Sequence, residues 1–447
     1  MKKILYIAYQ FPPLNIGGSA RPAKFVKYLN RYGISPTIVT LHPESYKRIY
    51  ANAKSDSNLL SDGNLQEEIL QIHSKDSSKR RQNRILNFID IFFNPYRGNE
   101  KKYWKDQYNE SVNTYLKHNT VSAIVVTAPP FGILSLAVAT SKKHNIPLIV
   151  DMRDPWTLWT IAPYGTYFNF LATKSLERKV FKQASKIIAT SKVTIEDFKK
   201  LHPSINEDKF EYIPNGFDHD IEFHDIVYTP KMDITIGYVG SFYFSPQKRE
   251  EIMEPWWKKK GHRKLQYVPR KEDWLYRTPY FFFKSLQKLF QLNPEFKERI
   301  TVKFAGNKDI WFDAMVKEFD LQANVEHLGW MSHEDSIKFQ KSCDFLLITS
   351  SKVIDGKDYS IAGKTFEYFT IQKPILAYVA DGAQKDILQQ SNLAHSLSID
   401  DANVAAEKLK EVFSTSQTLS PNKVFINSFK VNVLTKQFAN TIKSALK

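Results

Sequence analysis

The stretch Ser360-Ile-Ala-Gly363-Lys364-Thr-Phe-Glu367-Tyr-Phe-Thr-Ile-Gln-Lys-Pro374 places one Lys and one Glu in the opening turns of a helix, after small residues. The first amides of a helix lack partners and its dipole is positive there, so the end is a seat for an anion. Lys364 suits a phosphate, and Glu367, one turn further in, can accept hydrogen bonds from ribose hydroxyls. The chemistry is that of a nucleoside diphosphate. An ordinary surface Lys and Glu would have the same spelling, so the stretch needs support from elsewhere.

Three other places offer it. Near the start, Tyr9-Gln-Phe-Pro12-Pro13-Leu-Asn-Ile-Gly17-Gly18-Ser-Ala-Arg21-Pro22 puts a glycine pair before a helix, where backbone comes close to a ligand. It is neither G-x-G-x-x-G nor a P-loop, which argues against a dinucleotide cofactor and against ATP hydrolysis. Next, Asp151-Met-Arg153-Asp154-Pro-Trp156 follows an apolar run and flanks an arginine with two carboxylates. Such a carboxylate stays ionised and can take a proton, although a structural Asp–Arg pair has the same sequence. In the second half, Gly237-Tyr-Val-Gly240-Ser241 runs from a strand into a glycine turn, and Arg277 precedes the helix Tyr280–Leu292. Arg277 is thus a second candidate phosphate contact.

The elements that must position these residues alternate regularly. Strands are expected at Ile4–Ala8, Thr37–Thr40, Ala123–Thr127, Leu148–Asp151, Lys186–Ala189 and Phe210–Ile213, and again at Ile234–Val239, Thr301–Ala305, Val325–Leu328, Phe345–Thr349 and Ile375–Tyr378. Helical patterns lie between them, including Pro22–Tyr32, Ile133–Lys143 and Leu171–Ala184. The pattern is α/β: two doubly wound, Rossmann-like domains facing each other across a cleft. Ile213-Pro-Asn-Gly216-Phe-Asp218 is the turn-rich junction. The expected domains are 1–216 and 217–423, with a closing helix from 424 to 447 returning to the first.

Two segments break the rhythm. Ile85, Phe88, Ile89 and Phe92 share a helical face, with Arg80, Arg81 and Arg84 before them and Lys101-Lys102-Tyr103-Trp104-Lys105 after. That face would suit an anionic membrane or the protein's own core. The second is an insertion, 244–276, with nine Lys or Arg against five acidic residues and with Trp256, Trp257 and Trp274. It reads as a solvated loop, or as a contact for lipid headgroups or nucleic acid.

The chain has 447 residues and a net charge of +16, from 63 basic and 47 acidic side chains. Its length calls for two cores, and the charge attracts polyanions without choosing among them. One cysteine, Cys343, excludes an internal disulfide and a multi-Cys metal site. The apolar run after Lys2-Lys3 is too short for a signal peptide, and no run is long enough to span a membrane. A cytoplasmic protein is expected, with peripheral contact to the inner face of the cell membrane left open.

Taken in order, Pro12-Pro13, Gly17-Gly18, Arg21, Thr127-Ala-Pro-Pro130, Asp151–Trp156, Ile213–Gly216, Gly237–Gly240 and Gly363–Glu367 resemble glycosyltransferase family 4 over nearly the whole chain. The similarity is greatest to members with R-D-P-W that build bacterial surface polysaccharides. The resemblance implies the GT-B fold and retaining transfer from a nucleotide-sugar donor to a glycan or lipid-linked acceptor. It implies neither metal nor cofactor, and no nucleic-acid partner. By position it assigns Gly17, Gly18, Gly240, Ser241, Arg277, Lys364 and Glu367 to the donor. Many relatives carry His near the 151–154 segment, which makes Asp154, then Asp151, the candidate base, with Arg153 beside them. Two departures stand out: Ser241 replaces a common basic residue, and Tyr359 replaces the first Glu of an E-x7-E pair. Arg277→Ala and Lys364→Ala are expected to lower turnover with folding intact. A non-catalytic sugar- or lipid-binding scaffold and a nucleotide-sugar epimerase remain as alternatives.

Overall fold

The computed structural model describes residues 1–50, 54–55, 68–75, 100–159 and 163–446. The chain divides into two units: Met1–Asp218 with Pro255–Pro269 and Val431–Lys447, and His219–Glu254 with Arg270–Lys430.

The first unit is built on β1 (Lys2–Ile7), α1 (Ala20–Leu29), β2 (Ile34–Leu41), β3 (Ile69–Ile72), α2 (Glu100–His118), β4 (Ala123–Ala128), α3 (Gly132–His144), β5 (Leu148–Met152), α4 (Tyr167–Gln183), β6 (Lys186–Ala189), α5 (Lys192–Leu201) and β7 (Phe210–Tyr212). Its sheet runs β3-β2-β1-β4-β5-β6-β7, and every pairing is parallel. Strands buried on both faces read as unbroken apolar runs, and β4, Ala-Ile-Val-Val-Thr-Ala, is buried at all six positions. Alternate residues serve opposite faces: Leu5, Ile7, Ile124 and Val126 join one core, and Ile4, Tyr6, Ala123 and Val125 the other.

The second unit repeats the plan with β8 (Ile234–Val239), α6 (Tyr280–Leu292), β9 (Ile300–Ala305), α7 (Phe312–Glu318), β10 (Val325–Gly329), α8 (His333–Ser342), β11 (Phe345–Thr349), α9 (Gly363–Ile371), β12 (Ile375–Tyr378), α10 (Ala383–Ser391), β13 (Ala394–Ser396) and α11 (Ala402–Ser414). The strand order is β10-β9-β8-β11-β12-β13, again parallel throughout. In both sheets the order reverses beside the first strand of the unit, between β1 and β4 and between β8 and β11. Ligands of such sheets bind outside the strand ends at that reversal.

Several expectations change. The closing helix is not continuous: a short helix, Lys423–Asn427, is followed by α12 (Val431–Ser444). Phe429 packs on Phe366 and Phe369 of the second unit at 5.4 and 6.1 Å, while Leu434, Phe438, Ala439 and Ile442 enter a core of the first. The basic insertion, expected wholly within the second domain, divides as well, with Pro255–Pro269 grouping with the first unit. Of the amphipathic segment, residues 80–99 lie outside the described residues. Trp104 at its far end is fully buried, donates Nε1–H to the Ile72 carbonyl at 3.2 Å and meets Tyr9 edge-on at 5.0 Å. It is a core residue of this unit and not a membrane contact.

α12 covers one face of the first sheet, where Phe438 stacks on Phe25 of α1 with ring centroids 4.7 Å apart. Truncating a buried Phe costs about 3–5 kcal/mol. Phe438→Ala is expected to lower the unfolding free energy by that amount, read from the midpoint of a urea titration.

Candidate functional site

In the second unit, the predicted donor residues gather at the C-terminal ends of β8 and β9 and the start of α9. Gly240 follows β8 with φ +126°, a backbone that disfavours other residues, and a Cβ there would meet Lys364 Nζ at 3.1 Å. Gly306, at the end of β9, has φ +138°, and its Cβ would strike the Gly240 carbonyl oxygen at 2.5 Å. Two glycines are therefore required for the strand ends to pass each other. Ser241 follows, half-buried.

Lys364 lies in the first turn of α9, which carries no side-chain N-cap. Its ammonium stands 3.4 Å from the centroid of the Tyr238 ring, a cation–π contact. Among the described residues no carboxylate lies within ion-pair distance of it. Burial pushes its pKa down to about 7, with the more distant charge of Glu367 opposing the shift. Glu367 accepts from Gln340 Nε2 at 2.5 Å on one oxygen, and its other oxygen lies 3.8 Å from His333 Nδ1.

Arg277 is placed differently from the expectation of a free phosphate ligand. Its Nη2 donates to Glu272 at 3.1 Å and to the Ser360 hydroxyl at 3.1 Å, and the guanidinium lies 4.7 Å from the Trp274 ring. Glu272 is fully buried, and Asp358, also buried, is nearby; burial pushes the Asp358 carboxyl up to about 6, partly opposed by Arg277. Arg277 thus neutralises buried carboxylates through Nη2, and its buried Nε is left without a partner among the described residues. Its hydroxyl partner Ser360 leads directly into α9, so the arginine also fixes the approach to Lys364. Tyr359 is buried, with Arg270 over its ring at 5.3 Å, and offers no carboxylate to a sugar. A separate cavity of about 320 Å³, lined by Lys352, Asp381, Lys385 and Asp400 among others, includes none of the predicted residues.

In the first unit the predicted residues gather at the ends of β1, β4 and β5. Asp151, the second candidate base, is corrected: it is fully buried and receives Arg21 through Nε at 3.1 and 3.2 Å and Nη2 at 2.8 Å, and Thr127 at 2.9 Å. A carboxylate so engaged is a structural anion and a poor base. Arg153 donates to the backbone oxygens of Gly18 and Pro129 and to Gln10 at 3.3 Å, joining the loops after β1 and β4. It positions those loops rather than meeting a reactant, and burial lowers its pKa against the pull of Asp154 and Asp151. Gly18 is explained by the same contact, since a Cβ there would meet Gln10 at 1.8 Å and Arg153 at 2.6 Å. Gly17 is exposed with open space around its Cβ position. Asp154 is half-buried next to Arg153.

Sequence reading missed what holds the backbone just after Asp154. Glu177 of α4, fully buried, accepts the amides of Trp156 and Thr157 at 3.1 and 3.2 Å, the Thr157 hydroxyl at 2.6 Å and His202 Nε2 at 2.8 Å. Trp156 stacks on Phe131 at 5.4 Å. Gly306 and Gln340 were missed as well, and Tyr238 and Ser360, although inside the quoted motifs, were given no role; Gly306, directly after a strand, had a local signature.

Known proteins resemble this chain in one region of sequence and in overall fold. The Glycosyltransferase Family 4 model matches residues 23–221. Over 100% of this chain and 97% of the other, the structure of the Candida albicans trehalose-6-phosphate phosphatase N-terminal domain superposes with a TM-score of 0.62 at 14% identity. Sucrose-phosphate synthase from Thermosynechococcus elongatus gives 0.55 at 11%, covering 100% and 95%. The lipopolysaccharide outer core galactosyltransferase WaaB, in its apo form, gives 0.56 at 13%, covering 99% of each chain. No curated protein matches the chain by sequence. Identities this low speak for the fold alone, and that fold is GT-B. The resemblance to glycosyltransferase family 4 rests on the matched region 23–221, which supports glycosyl transfer as the class of activity. Among the described residues no helix is long and apolar enough to cross a membrane.

Removing one partner of a buried ion pair strands the other charge and costs about 3–5 kcal/mol. Arg21→Ala, which strands Asp151, and Arg277→Ala, which strands Glu272, are each expected to lose that much stability in denaturant titration. For Arg277 this replaces the expectation of intact folding.

Proposed function

We propose that the protein transfers a sugar, with retention, from a nucleotide-sugar donor to a glycan or lipid-linked acceptor in cell-surface polysaccharide assembly, without a metal ion. The carrying observation is Lys364: an ammonium at an uncapped helix start, held against Tyr238 and Gly240 with no carboxylate at ion-pair distance among the described residues. A departing diphosphate is the partner such a group suits. Charge that develops on it in the transition state meets a preorganised cation and open helix amides, the role a divalent ion would otherwise fill. Arg277 adds its field, reduced by Glu272. Glu367, braced by Gln340, offers its second oxygen to the donor ribose. In the first unit, Asp154 is the carboxylate proposed to act on the acceptor, with the backbone just after it held by the Glu177 contacts on Trp156 and Thr157.

A non-catalytic sugar binder is the second reading, favoured by the buried Tyr359 where relatives have a sugar-holding carboxylate. It predicts donor binding without turnover. Thermal-shift screening of the full chain against UDP-, GDP-, ADP- and CMP-sugars, followed by an assay for nucleoside diphosphate release with acceptor glycans, separates the two readings. A rise in Tm with one donor is expected; no rise with any would refute both.

Loss of one preorganised charge donor costs about 10²–10³ in turnover. Lys364→Ala is expected to show that loss with an unchanged urea midpoint. Protonation supplies a pH test. With a pKa of about 7 in the free protein, the amine is largely neutral above that value, whereas a bound diphosphate favours the ammonium. Nucleoside diphosphate affinity should therefore fall as pH rises above about 7, with proton uptake on binding, both measurable by calorimetry in buffers of different ionisation enthalpy. Affinity that stays flat between pH 7 and 9 would remove Lys364 from the diphosphate site.

A further inference from the structure

Pro255–Pro269 is fastened to the first unit at one end and open to solvent at the other. Tyr164 and Tyr267 exchange backbone hydrogen bonds of 2.9 and 3.1 Å, and the Tyr267 ring contacts Tyr167 and Phe170 of α4 at 4.9 and 4.8 Å. Lys259 is buried within the segment and bonds Gln266 at 3.3 Å. The tip it supports shows Trp256 at 66% and Trp257 at 64% exposure, with Lys258, Lys260 and Lys264 also exposed. Beside the Tyr267 anchor, the first turns of α4 expose Tyr167, Phe168 and Leu171.

Large apolar side chains grouped on a surface mark a contact site. The 15-residue segment 255–269 carries five Lys or Arg and no carboxylate, so the contacted surface is anionic. Indole rings favour the level of lipid headgroups, where one edge is wet and the other apolar, and nearby lysines add attraction to anionic lipid. The two indoles stand at 89° to each other, which offers successive nucleic-acid bases no common stacking platform. We propose that this patch docks the protein on an anionic lipid bilayer, Trp256 and Trp257 entering the headgroup layer and Lys258, Lys260 and Lys264 facing lipid phosphates. The docking stands independently of the reaction proposed above.

Co-sedimentation of the full chain with vesicles tests it. Binding to phosphatidylcholine containing roughly one-third phosphatidylglycerol is expected to exceed binding to phosphatidylcholine alone by at least about tenfold at low salt, a margin a few surface lysines supply. A Trp256→Ala/Trp257→Ala variant should lose about tenfold in affinity. A Lys258→Glu/Lys260→Glu/Lys264→Glu variant should fall to the phosphatidylcholine level, and both should keep the parent Tm because the altered side chains are exposed. Brominated lipid should quench wild-type tryptophan fluorescence, which reads the contact without any substitution. Equal binding to neutral and anionic vesicles, an unaffected double-Trp variant, absence of quenching, or tight oligonucleotide binding without vesicle binding would each overturn the proposal.

Discussion

One face of α1 governs the first unit. Arg21, Lys24, Lys27 and Tyr28 recur at helical spacing, and all four grip the segment 213–218. Arg21 donates to the carbonyls of Ile213 and Pro214 at 2.8 Å while its other edge is bound to Asp151; Lys24 reaches the Gly216 carbonyl at 2.9 Å; Lys27 pairs with Asp218 at 2.8 Å, and Tyr28 donates to the same carboxylate. A buried guanidinium with every hydrogen-bonding edge committed tolerates little displacement. The strand end that carries the Arg153 and Asp154 loop, the helix after the glycine pair and the exit of the chain are consequently one rigid assembly. What the sequence presented as a turn-rich linker is among the most firmly held segments of this unit.

The architecture was legible because parallel strands covered on both faces must be apolar at every position, and such runs stand out between amphipathic helices. Eleven strands were read, two of them, β7 and β10, partly exposed edge strands. Ile69–Ile72 and Ala394–Ser396, the other two edge strands, were not. Single residues followed a different rule. Lys364 and Gly240 were visible because helix starts and strand-end glycines have local signatures. The Glu177–His202 pair and Gln340 beside Glu367 were invisible, because each acts on a residue distant in sequence, and Glu272, five residues before Arg277, lay in a segment read as a solvated insertion. The same distance misled the reading of Asp151 and Arg153, whose neighbours could not be known from the Asp-Met-Arg-Asp spelling.

The two arginine–carboxylate systems and the lone lysine show different uses of charge. Arg21 and Arg277 satisfy buried anions, and their charge is largely spent within the fold. Lys364 is held on an aromatic face with no counter-ion at pairing distance among the described residues. The depressed pKa is the physical signature of that placement: burial disfavours the ammonium, and either loss of the proton or a nearby anion relieves the cost.

The first unit is assembled from three separated stretches of chain, and the last of them, α12, supplies Leu434, Phe438 and Ile442 to its core. A ribosome making this protein therefore finishes the second unit before it has released the residues that complete the first. Until α12 emerges, the face of the first sheet that α1 also packs on lacks the side chains that complete it, which favours engagement of the nascent chain by a chaperone.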